Sequence, residues 1–311
     1  MNRIVVTGGA GFIGSHLVRE LIDKDNFIII LDDLSTGKLD NISDLIGRDN
    51  VKFVQRSITD LPLVQEILQG VEYVFHQAAL ARVPRSIKDP LSNSEVNIGG
   101  TLNILLAARD NKVKKVIYAS SSSVYGHTPA VAQKEDMTPN PLSPYAVTKL
   151  TGEYFCNVFS QIYGLPTICL RYFNVYGPRQ DPWSQFATAI PAFIGKVFCD
   201  QAPVIFGDGE QSRDSTFIED VVRANILAAR SNAEGIYNIG SGKSTTMNQL
   251  AQTILRLMKR ENLGLIHEDP RAGDPKYTLA DISKAKTIGY EPKWTLEEGL
   301  KETIRKLQIE L

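Results

Sequence analysis

The sequence predicts an α/β protein in which a doubly wound parallel sheet is followed by a smaller α/β lobe. In the first part of the chain, short apolar runs alternate with segments whose apolar residues have helical spacing. The strand-like runs cover residues 3–7, 27–31, 51–55, 72–75, 115–119 and 166–171, and the helix-like segments cover residues 12–24, 89–111 and 144–163. Apolar runs that alternate with helices are typical of parallel strands buried on both faces, and right-handed crossovers then favour a doubly wound order.

The alternation becomes less regular after about residue 172, where proline and glycine cluster. The later helix-like and strand-like pieces cover residues 187–198, 204–206, 218–229, 237–239, 245–259, 281–288 and 296–307. We therefore expect a sheet domain over residues 1–172 and a smaller lobe over residues 173–311, with some of the later chain returning to the sheet.

Composition excludes several classes of function. The 311 residues carry a formal net charge of -1, with both signs spread along the chain, which argues against nucleic acid or a membrane surface as a partner. The three cysteines and four histidines are scattered without metal-ligand spacing, so we expect no metal site. Met1 leads directly into a strand-like run, and no apolar stretch approaches the ~20 residues that span a bilayer, so we expect a cytoplasmic protein.

A glycine-rich turn joins the first strand to the first helix. Gly8, Gly11 and Gly14 suit a tight turn, a close approach of backbone to a pyrophosphate, and close packing of the helix on the strand. The helix N-terminus would offer free N–H groups to that anion. Asp32, which ends the second strand, is placed to accept hydrogen bonds from a ribose and favours NAD over NADP. The alternative is a plain structural turn.

Tyr145 and Lys149 are spaced so that they share one face of a predicted helix. An ammonium beside a phenol lowers the pKa of the phenol, as a base that removes a hydroxyl proton requires. Ser121 belongs to the serine run after the fifth strand and would share a hydrogen bond with a substrate hydroxyl. The alternatives are a solvated helix face and a serine-rich turn.

A series of motifs along almost the whole chain resembles the extended short-chain dehydrogenase/reductase family, in particular its nucleotide-sugar 4-epimerases. The motifs are T-G-G-A-G-F-I-G (7–14), D-D-L-S-T-G (32–37), H-Q-A-A (76–79), S-S-S-S-V-Y-G (120–126), S-P-Y-A-V-T-K (143–149), R-Y-F-N-V-Y-G-P-R (171–179), G-D-G-E-Q-S-R-D (207–214) and R-A-G-D (271–274). The resemblance implies a Rossmann-type NAD-binding domain that carries the catalytic helix, and a nucleotide-sugar-binding lobe after it.

The resemblance also assigns roles to individual residues. Tyr145 would be the base and acid, Lys149 its electrostatic partner and Ser121 the hydrogen-bonding serine. The residues implied at the cofactor are Gly8, Gly11, Phe12, Ile13, Gly14, Asp32, Asp33, Ser35, Gly37, Ser57, Ile58, Gln77, Ala78, Ala79, Asn97, Tyr145, Lys149 and Tyr172. Those implied at the nucleotide sugar are Arg82, Ser121, Ser122, Asn174, Arg179, Thr188, Ala189, Val204, Phe206, Arg213, Arg271 and Thr278.

Within the substrate set, the resemblance gives the diphosphate to Asn174, Arg213 and Arg271, a usual role for guanidinium groups, and the uracil to Val204 and Phe206. The null for both arginines is a surface ion pair with a neighbouring aspartate.

The sequence departs from the family pattern at two places. Many relatives carry Gly-Asp-Ile after the third strand, where the aspartate contacts adenine, but this chain has Arg56, Ser57 and Ile58. That adenine contact is therefore in doubt. Ser122 follows the catalytic serine, whereas related dehydratases and decarboxylases use an acidic residue nearby, which argues against elimination or decarboxylation.

The implied reaction is inversion at C4 of a UDP-hexose. Tyr145 takes the hydroxyl proton, NAD takes the hydride, and the 4-keto sugar turns before the hydride returns. Thr278 stands where epimerases limited to non-acetylated sugars often have a bulky tyrosine, so we expect turnover of UDP-glucose and UDP-galactose and also of the N-acetyl pair.

Other functions stay open on the sequence alone. Arg82 or Arg179 could meet the carboxylate of a uronic acid, although uronate epimerases tend to have threonine where Asn174 stands. A nucleotide-sugar 4-ketoreductase would use the same tyrosine and lysine, whereas a non-catalytic NAD-sensing protein would not need both of them together with Ser121. Family members are commonly dimers built on two helices per subunit, here 89–111 and 144–163, which implies a homodimer.

Overall fold

A computed structural model describes residues 2–22, 25–128, 132–184, 187–270 and 276–310 of the chain. Its centre is a seven-stranded sheet of β1 (Asn2–Thr7), β2 (Asn26–Leu31), β3 (Val51–Val54), β4 (Tyr73–His76), β5 (Lys115–Ser121), β6 (Thr167–Tyr172) and β11 (Gly235–Ile239). The strands lie in the order β11-β6-β5-β4-β1-β2-β3, and all neighbours are parallel. The order from β3 to β6 is that of the Rossmann fold, so the predicted fold class is confirmed.

Six short strands complete the set: β7 (Val175–Tyr176), β8 (Val204–Phe206), β9 (Ser212–Arg213), β10 (Thr216–Phe217), β12 (Thr245–Thr246) and β13 (Ile266–Glu268). The helices are α1 (Phe12–Leu21), α2 (Leu61–Ile67), α3 (Val83–Lys88), α4 (Pro90–Ser94), α5 (Thr101–Asp110), α6 (Pro144–Tyr163), α7 (Ala189–Phe198), α8 (Ile218–Arg230), α9 (Met247–Met258), α10 (Ser283–Lys286) and α11 (Leu296–Glu310). None of these described helices is long and apolar enough to cross a membrane.

Alternate residues along the central strands feed two hydrophobic cores, one on each face of the sheet. In β1, Ile4 and Val6 join the core beneath α1 and α8, whereas Val5 joins the core beneath α5 and α6. This alternation is the two-residue period of a strand, and it requires both faces to be apolar. The near-continuous apolar runs of the sequence follow from this double burial.

Two helical regions differ from the expectation. The segment predicted as one helix over 89–111 is divided into α4, a π-helical stretch (Glu95–Gly100) and α5. Asn93 donates to the Leu80 carbonyl at 2.8 Å, and the Leu80 amide donates to the Asn97 Oδ1 at 2.8 Å, so the irregular stretch holds the segment that follows β4. Helix α2, which was not predicted, begins after Asp60, whose carboxylate caps the Leu63 amide at 3.2 Å.

The chain beyond residue 172 contributes to the central sheet as well as to the smaller lobe. Strand β11 pairs with β6 along Gly235–Ile239, and α8 packs on α1 and on β5. The buried residues of α7, α8 and α9 join the same core as the residues of α1. The boundary near residue 172 stays a prediction about organisation, since the later chain packs directly on the sheet.

A buried ion pair fastens α6 to the sheet. Arg171 of β6 donates to both carboxylate oxygens of Glu153 on α6, at 2.8 and 2.7 Å. The two side chains are 1% and 0% exposed. The Ser120 hydroxyl of β5 donates to Glu153 at 2.5 Å, and the Arg171 guanidinium lies 4.6 Å from the centre of the Tyr125 ring. The carboxylate thus has partners from both neighbouring strands, as a buried charge requires.

The turn between β1 and α1 presses against the end of β4. Gly8 has a φ of +66°, and a Cβ added to it would lie 2.7 Å from the backbone nitrogen of Ala78. A Cβ on Gly14 would overlap the carbonyl oxygen of Gly8. Since only glycine leaves this space free, α1 can begin directly over the ends of β1 and β4.

The crowding at Gly8 can be separated from its backbone strain by a matched pair of variants. Gly70 has a φ of +68° and only the Arg3 Cδ, at 3.9 Å, near an added Cβ. We expect Gly70→Ala to lower the free energy of unfolding by about 1–2 kcal/mol, the cost of a left-handed non-glycine residue. Gly8→Ala should lower it by about 1–3 kcal/mol more, because the Ala78 backbone must move. Urea unfolding of both variants measures the difference, and equal losses would contradict the crowding.

Candidate active site

A cleft of about 310 Å³ opens at the carboxyl ends of β1, β2 and β4. This is where ligands bind in open parallel sheets, at the point where the strand order reverses. Most residues expected at the cofactor line it, namely Gly8, Gly11, Phe12, Ile13, Gly14, Asp32, Asp33, Ser35, Ile58, Gln77, Ala78 and Ala79. The sequence positions of these residues are far apart, and the turns after three strands bring them together.

The groups of this first cleft fit a dinucleotide. Gly11 is the extended N-cap of α1, so the first-turn amides of the helix face the cleft without intrahelical acceptors. The Asp32 carboxylate accepts the amides of Ala10 and Leu34, each at 2.9 Å, which fixes its orientation at the end of β2. Burial raises the pKa of Asp32, while these backbone hydrogen bonds act in the opposite direction. NAD would therefore have its pyrophosphate at the turn and its ribose at Asp32.

Four residues expected at the cofactor have other contacts. Gly37 packs on the Asp32 carboxylate, and the Ser57 hydroxyl accepts from the backbone and side chain of Thr59. Asn97 is buried, with its amide group bonded to Leu80 and to Thr148. The Tyr172 hydroxyl donates to Gln77 at 3.2 Å, so it orients a side chain of the cleft.

Several lining residues of the first cleft were not predicted. They include Thr36, Arg56, Leu80, Val96, Val175 and Gln180. Arg56 and Ile58 flank Ser57, so the lining at this end of the cleft comes from the residues on either side of the expected one. The position of Arg56 directly after β3 was the available signal, since the carboxyl ends of parallel strands meet at one edge.

A second cleft of about 370 Å³ adjoins the first and is walled mainly by the C-terminal lobe. It is lined by the expected substrate residues Arg82, Asn174, Thr188, Ala189, Val204, Phe206 and Arg213. Arg82 and Thr188 line both clefts, so the two spaces meet at these side chains. Gln211 and Ser215, which also line it, were not predicted.

Asn174 is oriented by two fixed acceptors. Its Nδ2 donates to the Asp214 carbonyl at 2.9 Å and to the Thr278 Oγ1 at 3.1 Å. Thr278 is 7% exposed and also accepts the Asp214 amide at 3.2 Å. Thr278 is thus not among the described residues that line the second cleft, and its hydroxyl holds Asn174 in place.

The structure does not bring Arg179 to this site. Arg179 has a φ of +65° and lines a separate cleft between α1 and α8, together with His16, Arg19 and Arg223. Arg271 lies outside the described residues. Of the three arginines expected at the substrate other than Arg271, Arg82 and Arg213 therefore face the second cleft and Arg179 does not.

The expected catalytic residues come together at the start of α6. Ser143 caps the helix through the Ala146 amide at 3.2 Å, and Pro144 follows in its first turn. Tyr145 and Ser121 share a side-chain hydrogen bond. The Lys149 ammonium donates to the Ala119 carbonyl at 2.7 Å and lies 6.0 Å from the centre of the Tyr145 ring. Ser122 begins the 3-10 turn that follows β5.

The expectation that Lys149 lowers the pKa of Tyr145 is not what the structure shows. Burial raises the pKa of Tyr145, and the Ser121 hydrogen bond and the positive charge of Arg82 act in the opposite direction. Burial also lowers the pKa of Lys149 to about 8. The protein groups alone therefore leave the phenol protonated at neutral pH, and the nearby cation that acts on it is Arg82.

Among the described residues, no group of three or more His, Cys, Asp or Glu side chains is arranged to hold a metal ion. The chemistry of this site rests on the tyrosine, its hydrogen-bonding serine and the two cations.

Comparison with known proteins places this architecture. Residues 4–240 match the model of the NAD dependent epimerase/dehydratase family. The chain is 40% identical over 307 residues to a putative UDP-glucose 4-epimerase of Methanocaldococcus jannaschii, with 97% of each chain covered.

Two solved structures show the same likeness. One is a UDP-N-acetylglucosamine 4-epimerase of Methanobrevibacter ruminantium M1 in complex with UDP-N-acetylmuramic acid, with a TM-score of 0.96, 42% identity and 100% and 99% coverage of the two chains. Another is a UDP-glucuronic acid 4-epimerase of Bacillus cereus in complex with UDP-glucuronic acid and NAD, with a TM-score of 0.91, 34% identity and 99% and 100% coverage. The chain belongs to the NAD-dependent epimerase/dehydratase family and is an epimerase of the extended short-chain dehydrogenase/reductase type.

Proposed function

We propose that this protein inverts C4 of UDP-hexoses, interconverting UDP-glucose with UDP-galactose and UDP-N-acetylglucosamine with UDP-N-acetylgalactosamine. The observation that carries the proposal is the meeting of two clefts, one shaped for a dinucleotide and one for a nucleotide sugar, at Arg82 beside the hydrogen-bonded pair Tyr145 and Ser121. The relatives that act on UDP-sugars support the same substrate class.

Each part of the proposed reaction has a residue of this chain. The phenol of Tyr145 exchanges a proton with the C4 hydroxyl, and Ser121 hydrogen bonds to the phenol and fixes its orientation. NAD, when bound, supplies the hydride chemistry at C4. Lys149, held by the Ala119 carbonyl, keeps an ammonium below the tyrosine ring. Because the proton and the hydride both return to the sugar, the reaction has no net oxidation.

The second cleft would hold the rest of the substrate. Arg213 provides a guanidinium for the diphosphate, and the apolar side chains of Val204 and Phe206 on β8 provide a slot for a flat base. We keep Arg271 as a second diphosphate arginine on the strength of its sequence motif. A fixed diphosphate leaves the hexose to turn at the junction of the clefts, close to Tyr145.

A uronic acid is the second candidate substrate, and the position of Arg82 favours it. Arg82 lies where the hexose would meet the cofactor, and a guanidinium pairs well with a carboxylate. The distant position of Arg179 removes the other arginine from this argument. We give preference to the neutral hexoses because the relatives of higher identity act on them.

A panel of nucleotide sugars tests the proposal. We expect purified protein to convert UDP-glucose and UDP-N-acetylglucosamine to their C4 epimers, since Thr278 is small and withdrawn from the cleft. Chromatography of the products, with absorbance of NADH followed in the same samples, measures both epimerisation and net redox change. Turnover of UDP-glucuronic acid alone would select the uronate reaction, and net oxidation or reduction would select a ketoreductase.

Removal of the tyrosine hydroxyl tests the chemical role of the pair. Tyr145→Phe should lower kcat by about 100- to 10,000-fold, the usual contribution of a general acid or base, and leave the cofactor content unchanged. Tyr73→Phe, at the amino end of β4 on the opposite edge of the sheet, is the matched control and should keep full activity. Bound nucleotide is quantified after acid release. A Tyr145→Phe enzyme within threefold of the native rate would refute the assignment.

A second copy of the chain is the proposed partner. Helix α6 carries an exposed apolar stripe of Val147, Tyr154, Val158 and Ile162 on the face opposite Tyr145 and Lys149. Such a stripe on a soluble protein marks an interaction surface, and the same helix of a second copy would cover it by twofold symmetry. The family resemblance of the sequence supports the same pairing.

Charge placed in this stripe should separate the copies. We expect the native protein to sediment at about twice the chain mass of 34.4 kDa, and the variant Val158→Glu/Ile162→Glu to sediment as a single chain, because charges are costly in an apolar interface. Ile46→Glu changes an exposed isoleucine elsewhere and should not change the mass. A native protein that sediments as a single chain at micromolar concentration would contradict the dimer.

A further inference from the structure

Arg82 occupies a singular position between the two clefts. It precedes α3, its side chain is half-buried, and it is the one arginine among the described residues that lines both spaces. A cation at this junction faces the cofactor on one side and the sugar on the other. The sequence offered it only as a possible contact for a carboxylate.

The backbone of Arg82 is tied to the backbone of Tyr145 through one helical turn. The Ser86 amide donates to the Arg82 carbonyl at 2.9 Å, and the fully buried Ser86 hydroxyl accepts the Tyr145 amide at 3.2 Å. The same hydroxyl donates to the Val83 carbonyl at 2.7 Å. The start of α3 is therefore fixed relative to the start of α6, and Arg82 keeps its distance from the phenol.

The charged and titratable groups around the Tyr145 phenol are few. They are Arg82 from the α3 side, Lys149 on the same helix, Tyr118 from β5 and Tyr172 from β6. The two tyrosines are buried, and burial raises the pKa of both, so they are neutral at physiological pH. The positive charges are then those of Arg82 and Lys149.

The two cations are not equivalent. The Lys149 ammonium is committed to the Ala119 carbonyl, and burial lowers its pKa to about 8, so its charge is lost in the alkaline range. Arg82 stays charged at every relevant pH. Asp181 also faces Arg82, but its carboxylate forms an ion pair with Lys38 at 2.8 Å, so its charge is shared.

We propose that Arg82 is a positioning residue for the proton transfer, whose fixed positive charge stabilises the Tyr145 phenolate in the site where cofactor and sugar meet. This rests on the proposed function, in which Tyr145 accepts the C4 hydroxyl proton. Arg82 acts on that step through the phenol, and its effect is on the pH at which Tyr145 works.

The sign of the effect follows from the charge. A cation favours the ionised phenol, so removal of Arg82 raises the pKa of Tyr145. Turnover needs the phenolate, so kcat falls as the pH drops below that pKa, and the acid limb of the profile should move to higher pH in Arg82→Gln. A shift of about one pH unit corresponds to a loss of about tenfold at a pH on that limb.

Three variants carry the test: Arg82→Gln, Arg82→Lys and the control Arg85→Gln, whose arginine lies on α3 outside both cleft linings. The profile of kcat from pH 5 to 10 with the sugar that the native enzyme turns over is measured for each. We expect the acid limb of Arg82→Gln to move up by about one unit and its kcat to recover at high pH, since one unit of pKa is a tenfold change in ionisation. Arg82→Lys and Arg85→Gln should retain the native limb.

A titration without turnover gives the second readout. The ultraviolet absorbance of tyrosinate, taken as the difference between each protein and the same protein with Tyr145→Phe, reports the pKa of Tyr145 directly. We expect this pKa to rise in Arg82→Gln. A loss of kcat that is uniform across pH, with no change in the tyrosinate titration, would overturn the role of Arg82. A native protein that epimerises no UDP-sugar would refute the proposed function, and the titration would still decide whether Arg82 acts on the phenol.

Discussion

The carboxylate of Glu153 is the point on which the catalytic geometry depends. It is held by two hydrogen bonds from Arg171 and one from Ser120, so α6 is fixed to β6 and β5 at once. Tyr145, Lys149 and Glu153 are spaced four residues apart on one face of that helix, so the anchor sets the depth of the other two. Loss of either charged partner alone would leave an uncompensated buried charge, at a cost of about 3–5 kcal/mol.

The sequence predicted the central strands to within about two residues because each of them is buried on both faces, which leaves continuous apolar runs. It did not predict α2, which has only seven residues and shows too little of a helical period. The π-helical stretch at Glu95–Gly100 could not be foreseen either. It accompanies hydrogen bonds from Asn93 and Asn97 to Leu80, a contact that depends on tertiary packing.

The site shows the same division between local and distant causes. The glycine turn, Asp32 and the residues after β4 were predicted to lie together, since each follows a strand of the sheet, and they line one cleft. Thr278 was expected to face the sugar, but its hydroxyl bonds to Asn174, which is 104 positions away in the sequence. The electrostatics of Tyr145 depend on Arg82 in the same way, through packing of α3 on α6 that no sequence spacing records.

The position of β11 has a consequence for biosynthesis. All six residues of β6 are buried, and its outer neighbour is a strand that ends at Ile239. Until the ribosome has delivered that strand, the growing chain presents β6 as an open, apolar edge of a parallel sheet, which is a template for pairing with other chains. Folding of the first half of the protein is thus completed only by the second half, and a fragment that ends at residue 172 would expose this edge permanently and aggregate.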